Sequence, residues 1–332
     1  MPLLNTPLEA GRVKLKNRLV FPPMATAKSE RGEVGPDLLR YYDEKSKGGH
    51  FGLVIIEHSY IAPEGRASAG QLSVAEDRLV DGLKTLAEAI HANGSKTAMQ
   101  INHCGGGISP EVTGIDGFAP SSVSNPAREG PLPIALDQDG IRKIIQQFSL
   151  AALRVKAAGF DAVEIHSAHG YLLNQFLSPL TNQRADEYGG SLQNRIRIHL
   201  EVVKAVRDAV GEAYPVFLRL GAADYMEGGQ TPEESASAAR ELERAGVDLI
   251  DISGGMCRYF NPFTKAPGYF AAASRVVKGA VSVPVLVTGG ITRPEEAEEI
   301  LRKGDTDLVG VGRAAAKDSD WGRKAMEALS GK

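Results

Sequence analysis

Eight short apolar runs punctuate the chain, at 18–24 (RLVFPPM), 52–59 (GLVIIEHS), 96–103 (KTAMQINH), 161–166 (DAVEIH), 215–221 (PVFLRLG), 248–255 (DLIDISGG), 284–290 (PVLVTGG) and 307–313 (DLVGVGR). Their apolar positions are continuous rather than alternating, the pattern of strands covered on both faces in a parallel sheet. Between them lie segments with helical spacing, at 36–49, 76–94, 139–159, 191–211, 231–246, 269–280, 293–304 and 318–329. Thr231-Pro232-Glu233-Glu234 opens one of these with capping chemistry and Gly246 closes it. Eight alternations of strand and helix predict an α/β fold, a (β/α)8 TIM barrel, with residues 1–332 as a single domain. An open doubly wound sheet is the competitor, but no G-x-G-x-x-G follows the first run.

Residues 104–137 form the longest irregular stretch, rich in Gly, Pro and Ser, directly after the third strand. Loops that follow barrel strands lie at the catalytic face, so this extended loop is expected to act as a partial lid. Bulk composition narrows the function. Net charge is -3 with no basic stripe, which argues against a nucleic-acid partner. No apolar run is long enough for a membrane span and the first residues lack a signal-peptide core, so a cytoplasmic location is expected. Cys104 and Cys257 are too few for a disulfide framework and are expected to be free thiols.

Barrel chemistry sits at the carboxyl ends of the strands. There the sequence supplies Met24, Ala25, His58, Gln100, His166 with His169 and Tyr171, Arg219, Gly255, Gly289, Gly290, Gly312 and Arg313. Glycines after the seventh and eighth strands let backbone N–H groups approach a phosphate, and Arg313 adds a bidentate cation; either glycine set alone also fits a tight turn. Arg219 interrupts an apolar strand, where a buried arginine needs an anion, either Glu164, Asp251 or a cofactor. His166 and His169 admit three readings: a metal pair lacking a third ligand, a structural pair, or two donors to a substrate oxygen with Tyr171 as proton source.

The segments LKNRLVFPPM, SKTAMQINH, FDAVEIHSAHGYLLNQFLSPLTNQRADEYGGSLQNRIR, LRLGAADY, VTGGI and VGVGR together resemble the Old Yellow Enzyme family, especially its bacterial NADH:flavin oxidoreductases and FMN-dependent ene-reductases. The likeness covers nearly the whole chain and implies a single-domain member without the iron-sulfur and nucleotide-binding extensions of 2,4-dienoyl-CoA reductase. It implies FMN across the barrel mouth, lined by Pro23, Met24, Ala25 and His58. The phosphate would lie on Gly290, Gly312 and Arg313, the pyrimidine edge on Gln100, and Arg219 near N1 and O2. It implies that NADH or NADPH supplies electrons and that hydride passes from flavin N5 to the β carbon of an α,β-unsaturated carbonyl compound. His166 and His169 would hold the carbonyl oxygen while Tyr171 protonates the α carbon.

Relatives usually carry Thr or Cys where Ala25 stands, so the resemblance implies a lower flavin potential. Some carry an aromatic in place of Ala27, which implies either a wider substrate pocket here or simple tolerance of a small residue. Arg258 and Tyr259, after the sixth strand, fit a planar or anionic substrate and equally the decoration of a solvated loop. The competing expectations are a flavin-dependent amine dehydrogenase or demethylase and a noncatalytic FMN electron-transfer protein. Homo-oligomerisation and an electron-donor protein are expectations by analogy alone.

Overall fold

The computed structural model describes residues 2–10, 12–108 and 110–330. Eight parallel strands close into a barrel: β1 (Leu19–Phe21), β2 (Leu53–Tyr60), β3 (Lys96–Asn102), β4 (Ala162–Ser167), β5 (Val216–Gly221), β6 (Leu249–Ser253), β7 (Val285–Thr288) and β8 (Leu308–Gly310). Each pairs with its sequence neighbour, and β8 returns to β1 through Val309↔Leu19 and Gly310↔Val20. A helix separates each strand from the next: α1 (Pro36–Ser46), α2 (Val80–Ala92), α3 (Gln138–Ala157), α4 (Arg197–Val210), α5 (Pro232–Arg244), α6 (Ala271–Lys278), α7 (Pro294–Arg302), with α8 (Trp321–Ser330) last. This is the (β/α)8 TIM barrel that the patterning predicts. The first ladder ends at Phe21 because Pro22 and Pro23 have no N–H to extend it.

Strand parity sorts the chemistry. Outward positions such as Val163, Ile165, Leu218, Leu220, Ile250 and Ile252 join the core shared with the helices. Inward positions near the amino ends, including Leu53, Ile55, Ala98, Ala162, Phe217 and Leu249, form a separate apolar plug. A hairpin of Leu8–Ala10 with Val13–Leu15, not foreseen in the sequence, adds Leu15 to that plug. Side chains alternate with a period of two, so the inward face of β4 continues from Ala162 to Glu164 and His166. In β5 it passes from Phe217 to Arg219, and in β6 from Leu249 to Asp251 and Ser253. One end of the barrel interior is thus greasy and the other ionisable, with every one of these polar groups buried.

The 104–137 loop contains a short helix (Pro110–Thr113) and a strand pair (Phe118–Ala119 with Ile134–Ala135). Asn125 ties it down by donating to the carbonyls of Gly106 at 3.2 Å and Gly170 at 2.9 Å. Among the described residues, no helix is long and apolar enough to cross a membrane.

Candidate active site

A cavity of about 1160 Å³ opens at the carboxyl ends of the strands. Its walls bring together Pro23, Met24, Ala25, His58, Gln100, His166, His169, Tyr171, Arg219, Arg258, Tyr259, Gly289, Gly290, Gly312 and Arg313, all singled out in the sequence. Gly255 and Ala27 are not among its lining residues. Gly255 instead donates its N–H to Ala223, and a Cβ there would fall 2.2 Å from Asp224 Oδ1, so close packing accounts for the glycine. Ala27 is exposed in a left-handed turn with φ 55°, its carbonyl against Gly70. Arg128, which the sequence reading missed, reaches the cavity from the 104–137 loop.

One wall of the cavity is a cluster of four rings. His166 stands edge-on to His169, with centroids 5.1 Å apart and planes at 90°, and Tyr171 lies 5.0 Å from His166. His169 adopts a left-handed backbone, φ 61°, and its Nε2 meets Ser253 Oγ at 2.7 Å. His166 Nδ1 is buried without a partner. Burial holds both imidazoles well below the usual histidine pKa, reinforced for His166 by His169 and Arg219 and for His169 by Arg219 and Arg128. Both are therefore neutral near pH 7, each offering one N–H and one lone pair. Among the described residues, no group of three metal-ligating side chains assembles.

The fourth ring is His58, brought in where β2 shifts register between Ile56 and Ser59. Its tautomer follows from Gln71. That amide accepts the Ala67 N–H through Oε1 at 2.6 Å, so Nε2 is its donor end. Nε2 donates to the His58 carbonyl at 2.9 Å and to His58 Nδ1 at 2.7 Å. Burial lowers the His58 pKa to about 3, which keeps the ring neutral with its proton on Nε2. That proton points at Tyr171 Oη, 3.5 Å away. Burial raises the Tyr171 pKa and the nearby Arg128 guanidinium opposes the rise.

Below the rings lies an ionisable floor. Gln100 Nε2 donates to Glu164 Oε1 at 2.7 Å, and Arg219 Nε stands 3.1 Å from Asp251 Oδ2 without hydrogen-bond alignment. Burial pushes the pKa of Glu164 and Asp251 up, Asp251 adding to the rise at Glu164, and Arg219 opposes both. Asp251 is thus one of the structural carboxylates anticipated for Arg219.

The far end of the cavity carries Gly289, Gly290, Gly312 and Arg313. A Cβ at Gly312 would fall 2.7 Å from Met24 Sδ, so a side chain there would have to displace the methionine tip that lines the cavity. Arg313 donates to Tyr269 Oη at 3.1 Å and lies 5.1 Å from the Phe260 ring centroid. Exposed backbone, a cation and a buried arginine with incomplete hydrogen bonding suit an anionic ligand such as one with a phosphate tail.

A cavity of that kind lies where TIM barrels carry their chemistry, at the carboxyl ends of the strands. The family model described as NADH:flavin oxidoreductase / NADH oxidase matches residues 3–331, and the chain belongs to this family, the Old Yellow Enzyme family, which works with FMN and NAD(P)H. It is 41% identical over 325 residues to an NADH oxidase of Thermoanaerobacter brockii, covering 96% of this chain and 50% of that protein. It is 38% identical over 317 residues to an NADPH dehydrogenase of Halalkalibacterium halodurans, covering 94% and 90%. A metal reductase of Desulforamulus reducens is 37% identical, with 98% of this chain and 49% of that one covered. The chain thus spans about half the length of two of these curated relatives. Among solved structures, a 2-naphthoyl-CoA reductase in complex with 2-naphthoyl-CoA superposes with a TM-score of 0.92 at 30% identity, covering 98% and 52% of the two chains. A morphinone reductase superposes at 0.85 with 29% identity, covering 98% and 90%.

Proposed function

We propose that this protein is an FMN-dependent ene-reductase that reduces the C=C bond of α,β-unsaturated carbonyl compounds, with NADH or NADPH as reductant at the same face. The observation that carries this reading is the convergence of two neutral imidazoles and a tyrosine on one wall, with the His169 and Tyr171 ring centroids each within 5.1 Å of that of His166, beside a buried arginine. When bound, FMN supplies the hydride. Gln100 and Arg219 would hold its polar ring edge, Pro23, Met24 and Ala25 would line it, and Gly290, Gly312 and Arg313 would hold the phosphate. Arg219 keeps a fixed positive charge there, which favours a ligand that gains negative charge on reduction.

His166 and His169 grip the carbonyl oxygen with N–H donors. These bonds strengthen as the oxygen becomes enolate-like, so they lower the barrier rather than merely bind. Tyr171 delivers a proton to the α carbon; with the hydride that bound FMN would supply at the β carbon, this would turn the C=C bond into CH–CH. His58 steadies the tyrosine oxygen as it loses that proton, and Tyr171 is then reprotonated from solvent.

The test is anaerobic mixing of NAD(P)H-reduced holoenzyme with a panel of enones and enoates, followed by flavin absorbance. We expect reoxidation, and a Tyr171→Phe variant should slow it by about 10²- to 10⁴-fold while slowing reduction by NAD(P)H far less. Failure of every alkene to reoxidise the flavin rejects the reading.

A further inference from the structure

Arginines deep in this molecule are paired with carboxylates: Arg195 with Glu234 at 2.8 Å, Arg207 with Asp248 at 2.7 Å and Arg219 with Asp251 at 3.1 Å. Two arginines of the cavity break the pattern. Arg128 and Arg258 are half-buried, the Nε of each is shielded from solvent with no acceptor, and among the described residues neither has an acidic side chain as ion-pair partner. Their contacts are with aromatic rings: Arg128 lies 4.1 Å from the Tyr171 centroid and Arg258 lies 5.1 Å from that of Tyr259. A half-desolvated guanidinium without an anion is costly unless a ligand supplies one.

Both are also held in place. The Arg128 N–H donates to Asn125 O at 3.0 Å, and Asn125 is itself anchored to Gly106 and Gly170. Arg258 sits at φ 61°, a left-handed conformation that a long side chain seldom takes, fixed by its N–H to Gly255 O at 2.9 Å. Strain retained in a cavity wall points to use of that side chain.

We propose that the alkene reduced here carries a carboxylate as its activating group, bound by Arg128 and Arg258 together with the His166–His169 pair; this rests on the ene-reductase reading. The position separates a carboxylate from the phosphates of a dinucleotide. Arg128 stacks on the very ring that gives the proton, and His166 stands 5.0 Å from that same ring. An anion bound there is a few atoms from the reacting carbons, as a carboxylate on the alkene is and as a pyrophosphate is not. The chemistry agrees. An enoate accepts hydride poorly because it is already negative and becomes doubly so; two fixed guanidiniums beside the oxygens counter both effects.

The test compares an acid with its uncharged counterpart on the FMN-loaded protein. By isothermal titration calorimetry, 3-phenylpropanoate should bind at least tenfold more tightly than 3-phenylpropanamide, and Arg128→Met and Arg258→Met should each cut that ratio at least tenfold. In parallel, cinnamate should reoxidise the reduced protein faster than methyl cinnamate. Equal affinities, or a ratio that neither variant moves, overturn the proposal; if 2-cyclohexenone still reoxidises the flavin, the ene-reductase reading stands without it. If no alkene reoxidises the flavin, both fall. A tenfold weaker NAD(P)H affinity in Arg258→Met with the acid-to-amide ratio intact assigns the cations to the dinucleotide and also overturns the proposal. Should a variant not fold, the wild-type ratio and its loss at high salt decide the matter.

Discussion

The two ends of the barrel treat polar groups in opposite ways. At the amino ends, an aspartate just before an even-numbered strand accepts the backbone N–H from the start of the preceding strand: Asp161 from Thr97 at 2.9 Å, Asp248 from Val216 at 2.9 Å and Asp307 from Val285 at 3.0 Å. Each also meets a cation, respectively Lys96, Arg207 and Lys278. At the carboxyl ends the buried acceptors and donors are left incomplete: Glu164 Oε2, His166 Nδ1, Asp251 Oδ1 and Thr288 Oγ1 have no hydrogen-bond partner. Stability is concentrated where carboxylates close their bonds to backbone and cation, and binding capacity where carboxylates and imidazoles still have bonds to make.

The largest effect expected from breaking this contrast is at the closed end. Asp248→Ala strips Arg207 of its buried partner and Val216 of an acceptor, and should cost about 3–5 kcal/mol. Calorimetry should record a Tm lower by roughly 4–7 °C; a fall of only a degree would mean the clasp is ornamental.

Glu57 gives an intermediate effect. It accepts the Thr26 N–H at 2.7 Å, under the segment that lines the cavity, and burial raises its carboxyl pKa to about 7. A raised folded pKa means that the fold binds the proton more tightly than the unfolded chain. Its contribution is complete below the unfolded value near 4.5 and is lost as pH rises through about 7. Glu57→Gln should therefore gain roughly 3–4 kcal/mol over the parent at pH 8 and little at pH 4.5, from the shift converted at about 1.4 kcal/mol per unit. Denaturant titrations at the two pH values check this, and a pH-independent difference contradicts it.

The smallest effect belongs to the open end. Thr288→Val removes a buried hydroxyl that has no partner, so stability should change by less than about 0.5 kcal/mol or rise slightly. A loss above about 1 kcal/mol would show that the mouth is as fully bonded as the base.

The eight strands were legible because a covered parallel sheet writes itself as uninterrupted apolar runs, and Gly or Pro marks their ends. The candidate wall was legible wherever a polar residue broke such a run, as at Glu164, Arg219 and Asp251. Arg128 was not, because it sits in an irregular loop whose placement depends on Asn125 bonding to distant carbonyls. His58 was read as a neighbour of the cofactor; its contact with Tyr171 depends on a register shift in β2 and on Gln71, thirteen residues later. The amino-terminal hairpin escaped notice because three-residue strands carry too little periodicity to distinguish.

The left-handed turn at His169 has an engineering consequence. Main-chain geometry sets the direction in which the second imidazole leaves the backbone, and Ser253 Oγ then holds its ring, so that ring inherits the rigidity of its loop. Repurposing this wall for another oxygen-binding group would favour asparagine, which tolerates such a backbone and still donates a hydrogen bond, whereas a β-branched residue would tilt the strand end and misalign both rings.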